Sequence, residues 1–185
     1  KTVTGFHPGD RVAGVIKHAG KSIAPSASLA RVPAGLVGPA PSLVTLGVIA
    51  LAGVRQAEIR PGSRVVVIGQ GMIGQLILAL CRCAGASEVI AVARTGSKKD
   101  LSLRTGADEF LSLEEDAEKI KSLSAEIVIE ASGSPGALIT ACDICSRGGR
   151  VILSGSTSGD YGGQDLKKRL IEKEISLVGA HVRNI

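Results

Sequence analysis

The stretch Arg64-Val65-Val66-Val67-Ile68-Gly69-Gln70-Gly71-Met72-Ile73-Gly74 decides how this chain is read. A β-branched run enters Gly-x-Gly-x-x-Gly. An apolar pattern at helical spacing, Ile73, Leu76, Ile77, Leu80 and Ala84, leaves it. Glycines alone are a weak signal in a chain with 24 of them. A strand before and a helix after give them physical tasks. Gly69 permits a tight exit from the strand, Gly71 lets the backbone approach a pyrophosphate, and Gly74 lets helix and strand pack closely. The N–H groups of Met72, Ile73 and Gly74 lack intrahelical acceptors and, with the helix dipole, suit a diphosphate. The pattern predicts a dinucleotide-binding turn.

The end of the next strand, expected over 88–93, distinguishes the two nicotinamide coenzymes. An acid there accepts from a ribose 2′-hydroxyl and repels a 2′-phosphate. This chain has Ala93, then Arg94. Ala93 removes the repulsion, and Arg94 can grip a phosphate with two N–H groups. Thr95 and Ser97 add hydroxyl donors, and Lys98 or Lys99 adds charge. The residues therefore favour NADP(H) over NAD(H). The competing reading is a solvated loop with incidental charges.

Farther along, strands are expected at 109–111, 126–131, 150–154 and 175–179. Helices are expected at 72–84, 97–105, 113–123, 135–146 and 164–173. Ser134 and Pro135 read as a cap with proline at the first helical position. Such alternation predicts an α/β fold, a doubly wound, parallel, six-stranded sheet of the Rossmann kind in the order 3-2-1-4-5-6. Ser132 and Gly133 then follow the fourth strand, and Gly155 and Ser156 the fifth. Ligands bind at these carboxyl ends, so the nicotinamide half is assigned to them. The apolar last strand at 175–179 is expected at a sheet edge, where a second copy could pair to make a homodimer.

Upstream, 11–16 reads as a strand and 29–32 as a short extended piece. A helix is expected from a Ser42 cap to Ala57, with Leu43, Leu46, Gly47, Ala50 and Val54 on one face. The uncharged stretch 32–54 is broken by Pro33, Pro39 and Pro41, so it reads as a buried hinge helix and not as a membrane span.

Composition narrows the alternatives. Hydrophobic residues make up 44% and aromatics 2%, with no Trp, so the core is aliphatic, as suits a buried parallel sheet. The scarcity of aromatics argues against stacking on nucleic-acid bases, and the net charge of +5 comes without a long basic run. Cys142-Asp143-Ile144-Cys145 is a C-x-x-C pair, which a metal or redox role could use, but no second pair has zinc spacing, so Cys81, Cys83, Cys142 and Cys145 are expected as reduced thiols in a reducing, cytoplasmic compartment. His7, His18 and His181 have no carboxylate or Cys at ligand spacing, and no nucleophile motif occurs. No signal peptide is visible, and a start at Lys1 suggests part of a longer product.

Further phrases carry a family resemblance. They include Pro8-Gly9-Asp10-Arg11-Val12, Val32-Pro33-Ala34-Gly35-Leu36 and Leu46-Gly47-Val48-Ile49-Ala50-Leu51-Ala52-Gly53-Val54. The glycine turn, Gly85-Ala86, Gly106-Ala107-Asp108 and Gly148-Gly149-Arg150-Val151 follow in order. The series resembles the medium-chain dehydrogenase/reductases, the zinc-type alcohol and polyol dehydrogenase relatives. Gly155-Ser156-Thr157 with Val178-Gly179-Ala180-His181 leans towards sugar- or polyol-type members. The resemblance implies a two-domain oxidoreductase. Residues 1–41 would be the trailing edge of a GroES-like, barrel-like catalytic domain, and 42–185 the dinucleotide-binding domain. Any zinc would belong to the absent domain, because the ligand-bearing Cys-Gly and Gly-His-Glu segments do not occur here. Ile49 sits where many relatives place a Thr near the nicotinamide, so no catalytic residue is carried over.

The leading expectation is the coenzyme-binding part of an enzyme that moves a hydride between NADP(H) and a small alcohol or carbonyl substrate. A non-catalytic NADP(H)-binding sensor is the alternative.

Overall fold

The computed structural model describes residues 3–155 and 165–182. A short antiparallel pair comes first: β1 (Val12–Gly14) and β2 (Leu29–Arg31), with Val12 opposite Arg31. The expected strand at 11–16 thus shrinks to three residues. Arg11 still accepts from the Val32 N–H at 2.9 Å, and its guanidinium donates to the carbonyl oxygens of Leu36 (2.8 Å) and Gly38 (3.4 Å).

A 3-10 turn (Ala40–Leu43) runs directly into α1 (Val44–Ala57). Ser42 is therefore not the cap: its hydroxyl donates to the Pro39 carbonyl at 2.7 Å inside that turn. The helical run Ala40–Ala57 is continuous, and by length and composition it is long and apolar enough to cross a membrane. Its Ala50, Gly53, Val54 and Ala57 face the core, while Val44, Val48 and Leu51 are 41%, 37% and 44% exposed. The expectation of a buried helix therefore holds for only one face.

The remainder alternates strand and helix. In order come β3 (Arg64–Ile68), α2 (Met72–Cys83), β4 (Glu88–Ala93), α3 (Lys99–Thr105), β5 (Glu109–Ser112), α4 (Ala117–Lys121) and β6 (Ala125–Glu130). Then follow α5 (Pro135–Ile144), β7 (Cys145–Leu153), α6 (Leu166–Lys173) and β8 (Ser176–Gly179). The sheet order is β5-β4-β3-β6-β7-β8 with every pairing parallel, which is the expected 3-2-1-4-5-6 arrangement.

Two-residue periodicity explains why these strands sit inside. Val65 and Val67 of β3 join Ala50, Val54, Ile77 and Leu78 under α1 and α2. Val66 and Ile68 join Ile120, Leu138 and Ala141 under α4 and α5. Both faces are covered, so both parities are apolar. Each fully buried aliphatic side chain contributes about 1.5–3 kcal/mol.

The expected ends shift where local chemistry is overruled. Ser134 stands at the start of α5, but its side chain makes no capping bond. α5 stops at Ile144, where Lys173 of α6 donates to the carbonyls of Cys142 (3.2 Å), Cys145 (3.0 Å) and Asp143. β7 begins earlier than 150 because Cys145 already pairs with Ala125. The register then slips before Ile127 meets Arg150. Asp165 caps α6, its carboxylate accepting from the Lys168 N–H at 2.8 Å.

Candidate functional site

Ile68 pairs with Val92 on one side and with Glu130 on the other, and Glu130 pairs with Leu153. The loops after β3, β4, β6 and β7 therefore leave the sheet at one level. They bring together Gly69, Gly71, Met72, Ile73, Gly74, Ala93, Arg94, Thr95, Lys98, Ser132, Gly133 and Gly155 at the carboxyl ends of the strands. Ser156 lies outside the described residues.

The glycine turn is built by close approach. Gly69 has φ +97°, and a Cβ there would stand 2.7 Å from the Ser132 nitrogen. Its N–H donates to the Val92 carbonyl at 2.8 Å, tying the turn to β4. At Gly74 a Cβ would lie 1.8 Å from the Gly69 carbonyl oxygen, so helix α2 seats against the turn only without a side chain. Gly71 differs: a Cβ would meet nothing within 4 Å. As the cap of α2 it has no side chain to satisfy the first N–H groups of the helix. Open space in front of unpaired N–H groups at a helix start is what a diphosphate needs. The residues present thus fit a dinucleotide.

A buried amide network lies beneath the turn. Gln70 Nε2 donates to the Val67 carbonyl at 2.8 Å, and Gln75 Nε2 donates to Gln70 Oε1 (3.3 Å) and to Ser102 Oγ (2.8 Å). Ser102 is wholly buried on α3. The network joins the turn to the helix that follows the Arg94–Lys98 loop. In that loop Thr95 caps a 3-10 turn (Gly96–Lys98), its hydroxyl lying 3.0 Å from Ser97 Oγ. Arg94 and Lys98 are exposed, and among the described residues neither has an ion pair or hydrogen-bond partner for its side chain.

On the β6 side, Glu130 is wholly buried. Its Oε1 accepts from the Ser132 N–H (2.6 Å), the Ser132 hydroxyl (2.5 Å) and the Gly133 N–H (3.0 Å). From sequence, Glu130 opens the segment that closes the fourth strand, but its side chain has no assigned role, and nothing points to the Gln75–Ser102 bridge. A Glu directly after the buried run Ile127–Ile129 was the available signal for the first; the second had none, because its partners are 27 residues apart.

The cysteines are chemically quiet. All four are free, and three are buried. Burial pushes the Cys81 thiol up to about 12. Burial and the neighbouring Asp143 push Cys142 to about 11, and burial, helped by Cys142, does the same to Cys145. Thiolates are the reactive form, so these three are inert near neutrality. With Ellman's reagent at pH 8, one thiol per folded chain, that of exposed Cys83, is expected to react promptly, and the rest only in denaturant. Rapid reaction of two or more in the folded chain contradicts this.

Among the described residues no three His, Cys, Asp or Glu side chains converge as a zinc site requires, so no step through a metal is derived from this chain. His7, His18 and His181 are exposed. A hollow of about 660 Å³, lined by Arg60, Ser63, Arg147, Gly149 and Arg150, opens at the opposite, amino ends of the strands. Two of its three arginines are already paired, Arg147 with Glu174 and Arg150 with Glu58.

Known proteins resemble this arrangement. The zinc-binding dehydrogenase family model matches residues 73–185. A D-guloside 3-dehydrogenase of Escherichia coli is 35% identical over 108 residues, which is 55% of this chain and 31% of that protein. A zinc-type alcohol dehydrogenase-like protein of the same organism is 25% identical over 153 residues, covering 74% of this chain and 40% of its own length. This chain thus spans 40% and 31% of the length of these two curated relatives. A Sinorhizobium meliloti structure described as a zinc-binding dehydrogenase bound to NADP superposes with a TM-score of 0.85 at 20% identity. It covers 98% of this chain and 64% of that one, and shows the shared fold. L-idonate 5-dehydrogenase of Escherichia coli superposes with a TM-score of 0.76 at 25% identity, over 84% of this chain and 45% of its own. With a family model matching more than half of its length and a sheet of the same order, the chain belongs to the zinc-binding dehydrogenase family.

Proposed function

We propose that this chain is the coenzyme-binding part of an oxidoreductase that moves a hydride between NADP(H) and an alcohol or carbonyl carbon of a polyol- or sugar-like substrate. The observation that carries the reading is the pairing of an open cradle at Gly71 with an unpartnered guanidinium, Arg94, one strand away. The polyol or sugar class is supported by relatives named D-guloside 3-dehydrogenase, D-xylulose reductase and L-idonate 5-dehydrogenase. The NADP preference is supported by Ala93 and Arg94, and by the NADP in the Sinorhizobium meliloti structure.

In this reading the N–H groups of Met72, Ile73 and Gly74 hold the pyrophosphate. Arg94, Thr95 and Lys98 hold the 2′-phosphate, beside an Ala93 that offers no opposing charge. Ser132, Gly133 and Gly155 border the nicotinamide end. When bound, the nicotinamide supplies the hydride donor or acceptor; this chain's part is to orient it. Residues 1–41 are the trailing edge of a catalytic domain that meets the substrate, and 42–185 form the coenzyme domain. The exposed edge strand β8 is the proposed homodimer contact. Four free cysteines favour a cytoplasmic setting.

Arg94→Ala tests the reading. Losing a charged bidentate contact is expected to weaken NADPH binding about 10- to 100-fold. NADH binding should stay unchanged, as read by coenzyme fluorescence titration. Equal weakening of both coenzymes, or none for NADPH, counts against it.

A further inference from the structure

We infer that Glu130 is a positioning residue for the nicotinamide end of the crevice, an inference that rests on the coenzyme reading above. One residue bonds to two loops. Its main-chain carbonyl accepts from the Ser154 N–H at 2.8 Å and the Gly155 N–H at 3.0 Å, fixing the exit from β7. Its side chain accepts from the Ser132 N–H, the Ser132 hydroxyl and the Gly133 N–H, through Oε1 at 2.6, 2.5 and 3.0 Å. Oε2 takes a longer contact of 3.2 Å from the same Gly133 N–H.

The neighbouring glycines close the arrangement. A Cβ on Gly155 would stand 2.4 Å from the Gly133 nitrogen and 3.0 Å from Glu130 Oε2. A Cβ on Gly69 would stand 2.7 Å from the Ser132 nitrogen. The loops after β3, β6 and β7 therefore pack against one another around a single carboxylate.

Glu130 is wholly buried and has no cationic partner among the described residues. A buried carboxylate is costly unless donors satisfy it. Here the donors are the N–H and O–H groups of the very loop that borders the crevice. In an amide of the same volume the oxygen can take the place of Oε1, but the NH₂ then stands where Oε2 accepts from the Gly133 N–H, a donor facing a donor. The adenosine end, at Gly71 and Arg94, makes none of these bonds. Glu130 should accordingly govern how the nicotinamide half is held and leave the adenosine half alone.

The test compares NADPH with 2′,5′-ADP, which carries the adenosine and both of its phosphates but no nicotinamide. In Glu130→Gln, affinity for NADPH is expected to fall about 10-fold or more, with 2′,5′-ADP affinity within about 2-fold of wild type. A purely structural role would weaken both ligands together. Should Glu130→Gln fail to fold, Ser132→Ala removes one of the bonds to the carboxylate, together with the 3.2 Å bond that the Ser132 hydroxyl accepts from the Ser134 N–H. It is expected to weaken NADPH about 3-fold and to spare 2′,5′-ADP. Equal losses for both ligands, or no loss for either, in a folded variant overturn the inference while the coenzyme reading stands. A wild-type chain that binds neither ligand overturns the coenzyme reading itself.

Discussion

A chain carrying Gly71→Asp is expected to fold as well as the original and to lose dinucleotide binding on the order of 100-fold or more, by the repulsion of like charges at contact distance. Gly71 sits at the cap of α2 with φ −74° and ψ −170°, extended backbone that an aspartate adopts freely. Nothing lies within 4 Å of where its Cβ would go. Asp is a better helix cap than Gly by a few tenths of a kcal/mol, roughly, and its charge suits the positive end of the helix dipole. The carboxylate would take the N–H groups that the pyrophosphate needs. Folding and binding thus move in opposite directions. A melting curve should show an unchanged or slightly raised Tm, while NADPH titration shows no saturation. Wild-type affinity in the variant would mean that the diphosphate does not sit at this turn.

Gly74→Ala should do the reverse and damage the fold first. The added methyl would be placed 1.8 Å from the Gly69 carbonyl oxygen and 3.0 Å from its carbon. Both are backbone atoms of a turn already pinned to Ser132 and to Val92, so neither can give way cheaply. Helix α2 would have to lift from β3, opening the core around Ile77 and Leu78. Overpacking of this kind costs about 3 kcal/mol, which in a chain of this size lowers Tm by roughly 6–12 °C. NADPH binding should fall with it. A Tm within about 2 °C of wild type would show that the helix is not seated through this glycine.

How much of this was legible beforehand depended on how local the chemistry was. β3 and β4 have the bounds expected from sequence, because Val65 to Ile68 and Val89 to Val92 are apolar runs framed by turn residues. Sheet order followed from alternation and crossover handedness. Helix starts were readable in part. α2 and α5 begin at Met72 and Pro135 as expected, although Ser134 caps α5 by position without a side-chain bond, whereas Ser42 bonds within the 3-10 turn before α1. A strand was expected only from Arg150, after Gly148 and Gly149, yet β7 already begins at Cys145, beyond a register slip no local pattern announces. The α1 helix was expected inside because it is apolar, but Val44, Val48 and Leu51 face away from the sheet.

The candidate site divides in the same way. Its glycines and Arg94 form a motif confined to about one strand-helix-strand unit, so they could be picked out directly. Glu130 and Gln75 owe their interest to what surrounds them. The first collects donors from its own loop only because β6 buries its end, and the second reaches Ser102 only because α2 and α3 lie side by side. Such contacts exist after folding and leave no periodic trace.

The central claim is that N–H groups at the start of α2 hold a diphosphate while Arg94 takes an additional phosphate. The most direct measurement is a crystal structure of this chain soaked in NADPH. The account predicts pyrophosphate oxygens about 2.7–3.2 Å from the nitrogens of Met72 and Ile73, with the 2′-phosphate against the Arg94 guanidinium. A coenzyme bound elsewhere on the sheet, or a turn left without phosphate at saturating NADPH, would contradict it.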